Sequence, residues 1–435
     1  MKKFYRFLSL LLTCALLLSL TACGNTADDG DGAEEETPVL DGKTMVLNVY
    51  NWGEYISDGS LGSYDTNAQF EKYYFEKTGQ KVKVLYTTYA TNEDMYAKIA
   101  AGAGTYDVII PSDYMIQKMA AEGLLYDFNP AKNIENYGNI DENFRNLYYD
   151  PDNRYSVPYT YGKVGIIYNS ALVDEEDVAD ESWSLLWNPK YRNKILQFNN
   201  PRDAFGTAMY YLGLDVNSTD PAVWQATRDK LSEQKSLVQG YVSDEIFNKL
   251  TTASAAIGTY YAGDYITMAE DNEDLAFYYP KEGTNVFVDA MCIPASARNK
   301  ALAMEYINFM LSEEPAVANA LYIGYASPNT AVIQSEEYLD ELGEDAYNIL
   351  YSDVDVNEGY RALGYDPYFH NFTPEIQALV NSLWEGLKTE SSIEVWIHVV
   401  SLAIVAGVIG GNVYLIWRRK KRSAHYRRRA KAQKN

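Results

Sequence analysis

Aromatic side chains and carboxylates recur together wherever an apolar run of this chain comes to an end. "VLNVYNWGEYIS" (46–57) closes on Trp52, Glu54 and Tyr55, and "YDVIIPSDY" runs into Ser112, Asp113 and Tyr114. Asn200 and Asp203 follow "KILQF", while Tyr260, Tyr261 and Asp264 follow "AAIGT". Phe287 and Asp289 bracket the start of "FVDAMCIP", and Tyr325 sits in the turn "IGYASPN". Rings gain from burial, whereas an unpaired carboxylate resists it. A ligand that is apolar along its length and positively charged at its ends reconciles the two. An alkylammonium is held by cation–π contact, about 0.5–2 kcal/mol per face, and by charge-assisted hydrogen bonds from carboxylates. In a chain with 39 tyrosines any single pair can arise by chance, so the recurrence carries the argument.

Catalytic chemistry has fewer residues to work with. Histidine is the usual general base near neutral pH, and of three histidines His398 and His425 fall in the C-terminal apolar and basic segments, leaving His370. No Gly-x-Ser-x-Gly elbow, Cys–His pairing, zinc-ligand spacing or Gly-rich phosphate loop is present. "GAGTYD" (102–107) precedes a strand instead of opening a helix, and reads as a turn. The pattern implies no cofactor and no metal. Paired carboxylates can hydrolyse glycosides, so a surface hydrolase stays as the alternative from another class. Of three cysteines, only Cys292 lies in the central part of the chain, in an apolar strand, so no internal disulfide is expected there.

Strands and helices must position these residues. "MVLNVY" reads as a strand, "NAQFEKYYFEKTG" as a helix ended by Gly79, and "KVKVLYTT" as a strand. "NEDMYAKIAAG" reads as a helix, "YDVIIPS" as a strand and "DYMIQKMAAEG" as a helix. A second set follows "YSVPYTYGKVGIIYN": strand "KILQF", helix "PRDAFGTAMYYLG", strand "AAIGTYY" and helix "GDYITMAE". Strand "FVDAMCIP" and helices "NKALAMEYINFML" and "PEIQALVNSLWEGL" complete the pattern. Such alternation predicts α/β lobes on open parallel sheets, with ligands beyond the carboxyl ends of strands. The residues above sit at those ends.

Both termini read as membrane segments. "MKKFYRFLSLLLTCALLLSLTAC" has the layout of a secretory signal over 1–22, and "LTAC" before Gly24 resembles a lipobox with Cys23 as the lipidated residue. Cleavage near Ala22 with an incidental cysteine is the plainer alternative. Residues 23–43 are acidic and poor in large apolar side chains, a flexible linker. "IEVWIHVVSLAIVAGVIGGNVYLIW" (393–417) is long enough to span a bilayer, and the basic tail 418–435 then belongs in the cytoplasm. Of 37 basic and 60 acidic side chains, residues 24–390 keep 24 and 59, a formal charge of −35. Such a surface repels nucleic acid and draws cations.

"YNWGEYI", "GTYDVIIPSDYMIQKMAAEGLL", "YSVPYTYG", "YYPKEGTNVFVDAMCIPASARNK" and "IGYASPN" together resemble the spermidine/putrescine-binding proteins of bacterial polyamine ABC importers, over about residues 44–390. The resemblance implies a two-lobed α/β periplasmic-binding-protein fold (class II type) with an inter-lobe cleft. One lobe would comprise 44–163 and 289–333, the other 164–288 and 334–390. It implies ligand-binding roles for Trp52, Tyr55, Ser112, Tyr114, Asp203, Tyr261, Asp264, Phe287, Asp289 and Tyr325. Asp264 matches putrescine-preferring members, and Asn200 stands where spermidine-preferring members can carry aspartate; the choice between putrescine and spermidine stays open. Tyr261 and Phe287 each stand where the family can have tryptophan, and Glu54 has no matched role. The resemblance further implies delivery to ABC permease subunits, an extracytoplasmic folded part and no enzymatic activity. A C-terminal membrane helix is outside the family's usual pattern. A receptor for another small cationic or metal-bound solute is the alternative within the class.

Overall fold

The computed structural model describes residues 44–352, 355–389 and residue 414. The expected signal (1–22), the linker with Cys23 (23–43), the membrane segment (393–417, Tyr414 apart) and the basic tail (418–435) lie outside the described residues. Among the described residues no helix is long and apolar enough to cross a membrane. Contacts divide the chain between Thr44 and Met45, and everything below concerns the second part.

Four strands and three helices follow one another in the first stretch: β1 (Met45–Trp52), α1 (Thr66–Thr78), β2 (Val82–Tyr89), α2 (Asn92–Ala100), β3 (Val108–Ile109), α3 (Asp113–Ala121) and the long β4 (Ser156–Asn169). Local chemistry sets their limits. Asp65 caps α1 by accepting from the Ala68 N–H, and Gly79 ends it in a left-handed conformation at φ 70°, which glycine adopts without the penalty a Cβ brings. The second stretch holds β5 (Ile195–Phe198), α4 (Pro201–Leu212), α5 (Pro221–Lys235), β6 (Val238–Val242), β7 (Ile257–Tyr261), α6 (Ala262–Asp271), β8 (Leu275–Tyr278) and β9 (Val286–Cys292). Three further helices matter here: α7 (Lys300–Met310), α8 (Glu313–Ile323) and α9 (Pro374–Thr389).

The strands form one sheet in the order β2-β1-β3-β9-β4-β7-β5-β6, with β8 also paired to β4. β1 is parallel to β2 and β3, and β5 is parallel to β6 and β7. The middle departs from the all-parallel expectation, because β9 runs antiparallel to β3 and β4, and β4 antiparallel to β7 and β8. The reason is topological. β9 and β4 are crossover strands between two parallel halves, and short-range pattern does not encode their direction. β4 pairs with β9 over Ser156–Lys163, then with β7 and β8 over Val164–Asn169. One strand therefore belongs to both halves of the sheet.

Two apolar clusters support the halves. One gathers Leu47, Val49, Phe70, Val108, Ile110 and Tyr306 around β1, β3 and α7; the other includes Trp183, Ile195, Phe205, Trp224 and Trp384 under α4, α5 and α9 and extends into the first half through Tyr50, Ile109 and Met115. Cys292 is buried and free in β9, as its apolar context predicts.

Candidate functional site

The strand ends bring the aromatic–acid pairs together. A cleft enclosing about 1000 Å³, part of it open to solvent, lies where the two halves of the sheet meet. All ten residues expected to bind ligand line it.

From the first half, β1 ends at Trp52, whose indole N–H donates to the Ile110 carbonyl at 2.9 Å. The chain then turns through Glu54 at φ 50°, which puts Glu54 in solvent and returns Tyr55 to the interior. That turn explains why two rings and a carboxylate crowd one strand end: only the rings face inward. Just beyond β3 comes Ser112, the N-cap of α3, and Tyr114 follows in the first turn. Asn92 donates to both Ser112 Oγ and Tyr114 Oη at 3.0 Å, tying α2 to α3. Asp113, also singled out by position, is buried and has a structural role. It accepts from the N–H groups of Tyr114 (2.7 Å) and Val288 (3.2 Å), and burial pushes its carboxyl up to about 8.

From the second half, β5 leads into α4, where Asn200 is the N-cap and Pro201 the first helical residue. Asn200 Oδ1 accepts from the Asp203 N–H at 2.8 Å, and its Nδ2 donates to Asp203 Oδ2 at 2.9 Å. Asn200 thus orients an acid instead of supplying one. β7 runs without a loop into α6, so Tyr261 is the N-cap position and Asp264 lies in the first turn. Phe287 and Asp289 come from β9, and Tyr325 from the segment after α8.

Three carboxylates share one arrangement. The Tyr55 hydroxyl donates to Asp289 Oδ2 at 2.7 Å, Tyr261 to Asp203 Oδ2 at 2.7 Å, and Tyr325 to Asp264 Oδ2 at 2.8 Å. Each acid is answered by a neutral phenol. Burial pushes Asp289 up to about 6 and Asp264 up to about 8, and it raises Asp203 as well. Asp289 Oδ1 is enclosed without a partner among the described residues. Rings fill the space between the acids: Tyr261 and Phe287 have centroids 5.2 Å apart, Tyr55 and Tyr325 5.1 Å, and Phe287 and Tyr325 6.1 Å. Partly desolvated carboxylates between aromatic faces suit ammonium groups joined by methylenes, because the cation restores the charged form of each acid.

Sequence reasoning missed Glu93, Arg202, Asp244 and Phe369, all of which line the cleft. Glu93 and Asp244 obey the same strand-end rule, after β2 and β6. Arg202 has no place in a pattern of rings and acids, and Phe369 arrives from a distant segment with no local signal. Among the described residues no cluster of metal-ligating side chains is present.

The family described as bacterial extracellular solute-binding protein matches residues 68–342. The spermidine/putrescine-binding periplasmic protein of Salmonella typhimurium is 34% identical over 329 residues, 74% of this chain and 90% of that protein. Spermidine/putrescine-binding periplasmic protein 1 of Haemophilus influenzae is 30% identical over 354 residues, 81% and 92% of the two chains. The solved structure of the spermidine/putrescine ABC transporter substrate-binding protein of Streptococcus pneumoniae superposes with a TM-score of 0.62 at 34% identity, covering 79% of this chain and 98% of that one. The fold is thus the two-lobed α/β fold of periplasmic binding proteins. The chain belongs to the bacterial extracellular solute-binding proteins, in the group of the spermidine/putrescine-binding periplasmic proteins.

Proposed function

We propose that this protein captures linear polyamines, putrescine or spermidine, outside the cytoplasm and hands them to the permease subunits of an ABC importer. One observation carries the reading: Asp203, Asp264 and Asp289 face one aromatic cleft, each held by a tyrosine hydroxyl. A cation that enters meets acids already positioned, and it supplies the charge they lack. Trp52, Tyr261 and Phe287 wall the methylene chain in this reading, and Ser112, Tyr114 and Tyr325 complete its surroundings. Members of this family are transport components and not enzymes, so saturable binding without turnover is expected.

The lobes of this class II arrangement take residues 44–163 with 289–333, and 164–288 with 334–390, and close over the ligand. Lipid on Cys23 and the apolar segment 393–417 would anchor the protein at both ends, with residues 418–435 in the cytoplasm. A receptor held that way delivers to an adjacent permease. Support for the anchors is the amino-acid pattern alone.

Isothermal titration calorimetry of the full-length chain in detergent, with putrescine, cadaverine, spermidine and spermine, tests the proposal. One-to-one saturable binding of at least one of them is the expected result. Folded protein that binds none would leave other small cationic or metal-bound solutes as ligands; turnover of a glycoside would point to the hydrolase reading.

A further inference from the structure

The loop between β1 and α1 carries a leucine that packing does not account for. Leu61 stands at its tip, fully exposed, with φ 52° and ψ 17° in the left-handed region. A single exposed apolar residue is ordinary, but this conformation is not, because a bulky side chain there clashes with its own backbone. Gly59 and Gly62, on either side, both hold φ 86°. The chain thus uses glycine for left-handed backbone twice in this loop, and leucine once. Nor is the loop loose. The Ser60 N–H donates to Asp58 Oδ1 at 2.9 Å, the Gly59 N–H to Ser63 Oγ at 3.1 Å and the Thr66 N–H to the Ser57 carbonyl at 3.0 Å. An apolar side chain held outward on a braced, strained backbone works against stability, and strain retained in this way points to a role outside the fold.

The loop lies at the carboxyl end of β1, the end at which ligand enters and leaves. Buried Ile56 and Ser57 join it to Tyr55. Its other support is α8: the Ser57 N–H donates to Asn319 Oδ1 at 2.9 Å, Thr66 Oγ1 donates to the same oxygen at 3.2 Å, and Ser60 Oγ lies 2.7 Å from Tyr322 Oη. Tyr325 follows Tyr322 by three residues. The loop is therefore seated between the two segments that carry Tyr55 and Tyr325, the phenols on Asp289 and Asp264. Charge narrows what can sit on it. Glu54, Asp58 and Asp65 flank the tip, the negative charge of Glu314 is felt at Tyr64, and neither residues 44–71 nor α8 contains a lysine or arginine. An anionic bilayer surface is repelled by such a rim, whereas a protein surface with basic side chains around an apolar hollow complements it.

We propose that Leu61 is a docking anchor for the extracytoplasmic face of the permease subunits, where it enters an apolar socket bordered by basic side chains. This deepens the delivery step of the reading above and rests on it. The partner that receives the ligand must meet the cleft end of the sheet, and the anchor stands there, on the loop that adjoins both phenols.

Uptake of labelled putrescine and spermidine by the source bacterium, with its own gene deleted and the full-length chain restored, tests the anchor. The wild-type chain is expected to restore uptake. Leu61→Gly is expected to lower it at least fivefold, while polyamine affinity by calorimetry stays within twofold and the melting temperature is no lower, because glycine relieves the strain. Leu61→Met, still apolar, is expected to keep at least half of the uptake. A photoreactive benzoylphenylalanine in place of Leu61 is expected to crosslink to a multispanning membrane subunit in those cells. Uptake by Leu61→Gly within twofold of wild type overturns the anchor and leaves capture and delivery intact. A melting temperature well below wild type overturns it too, since leucine would then pack within this chain. Crosslinking to lipid alone, or to a second copy of this chain, does the same. A wild-type chain that binds polyamines yet restores no uptake overturns delivery and anchor together.

Discussion

Tyr325 donates its phenolic hydrogen to Asp264 at 2.8 Å while its ring lies directly on Gly263. A Cβ at Gly263 would come within 2.3 Å of Tyr325 Cδ2, and a rigid ring cannot yield that much in place. The glycine is thus what lets an aromatic side chain from beyond α8 reach the first turn of α6. Gly263→Ala should expel Tyr325 and weaken putrescine binding at least tenfold, about 1.4 kcal/mol. Circular dichroism would verify that the protein stays folded. Calorimetry that finds unchanged affinity would detach Tyr325 from the site.

Asp289→Asn tests a second of the three acids. The amide keeps the shape and can still accept from Tyr55, but it loses the charge that would pair with an ammonium. Affinity should fall by at least about tenfold. A loss under twofold, with thermal stability retained, would remove Asp289 from the proposed contacts.

Binding should also depend on pH, with a defined sign. Burial pushes Asp289 up to about 6 and Asp264 up to about 8, while an unfolded chain ionises such groups near about 4. In the ligand-free protein their contribution to stability is therefore full below about pH 4 and is lost as pH rises through 6 and then 8. An ammonium ligand needs the ionised acids, so affinity should climb from pH 5 to pH 8, by up to about tenfold per pH unit for each proton displaced. Capture at pH 7 should release protons. Calorimetry at that pH in two buffers of different ionisation heat would report this, and equal heats would contradict it.

Cleft width is open to a similar test. Gly162 of β4 faces Phe287 of β9 in register, and a Cβ there would stand 2.8 Å from Phe287 Cζ. Gly162→Ala should drive the Phe287 ring from its seat and lower affinity several-fold, with a stability cost of about 1–3 kcal/mol for overpacking. Phe287→Leu in the same chain should recover stability. Thermal melts of the single and double variants distinguish this from an unspecific effect.

Much of the site was legible because one rule governs it. Where a parallel strand runs into a helix, the exit residues face a common crevice, so Trp52, Tyr114, Asp203 and Asp264 could be placed from local pattern alone. The same rule reaches Glu93, which follows the expected strand β2, and Asp244 once the short β6 is recognised as a strand. Arg202 was illegible for another reason: its meaning comes from Tyr114 and Phe372, far apart in the chain, closing on it from two sides. The antiparallel course of β9 was hidden likewise, since its partner β4 lies more than a hundred residues away. The helix α5, with four buried residues among charged and polar ones, offered too thin an apolar stripe to stand out.

β4 has a further mechanical meaning. Its first half is laced to β9 and its second to β7 and β8, with a register shift between Pro158 and Thr160. Cutting the chain after Lys163 would strand an unpaired ladder edge on each fragment, so the two lobes are not interchangeable cassettes. Grafting a cleft wall from a relative would have to carry this shared strand, and its ladder to the second crossover strand β9, intact.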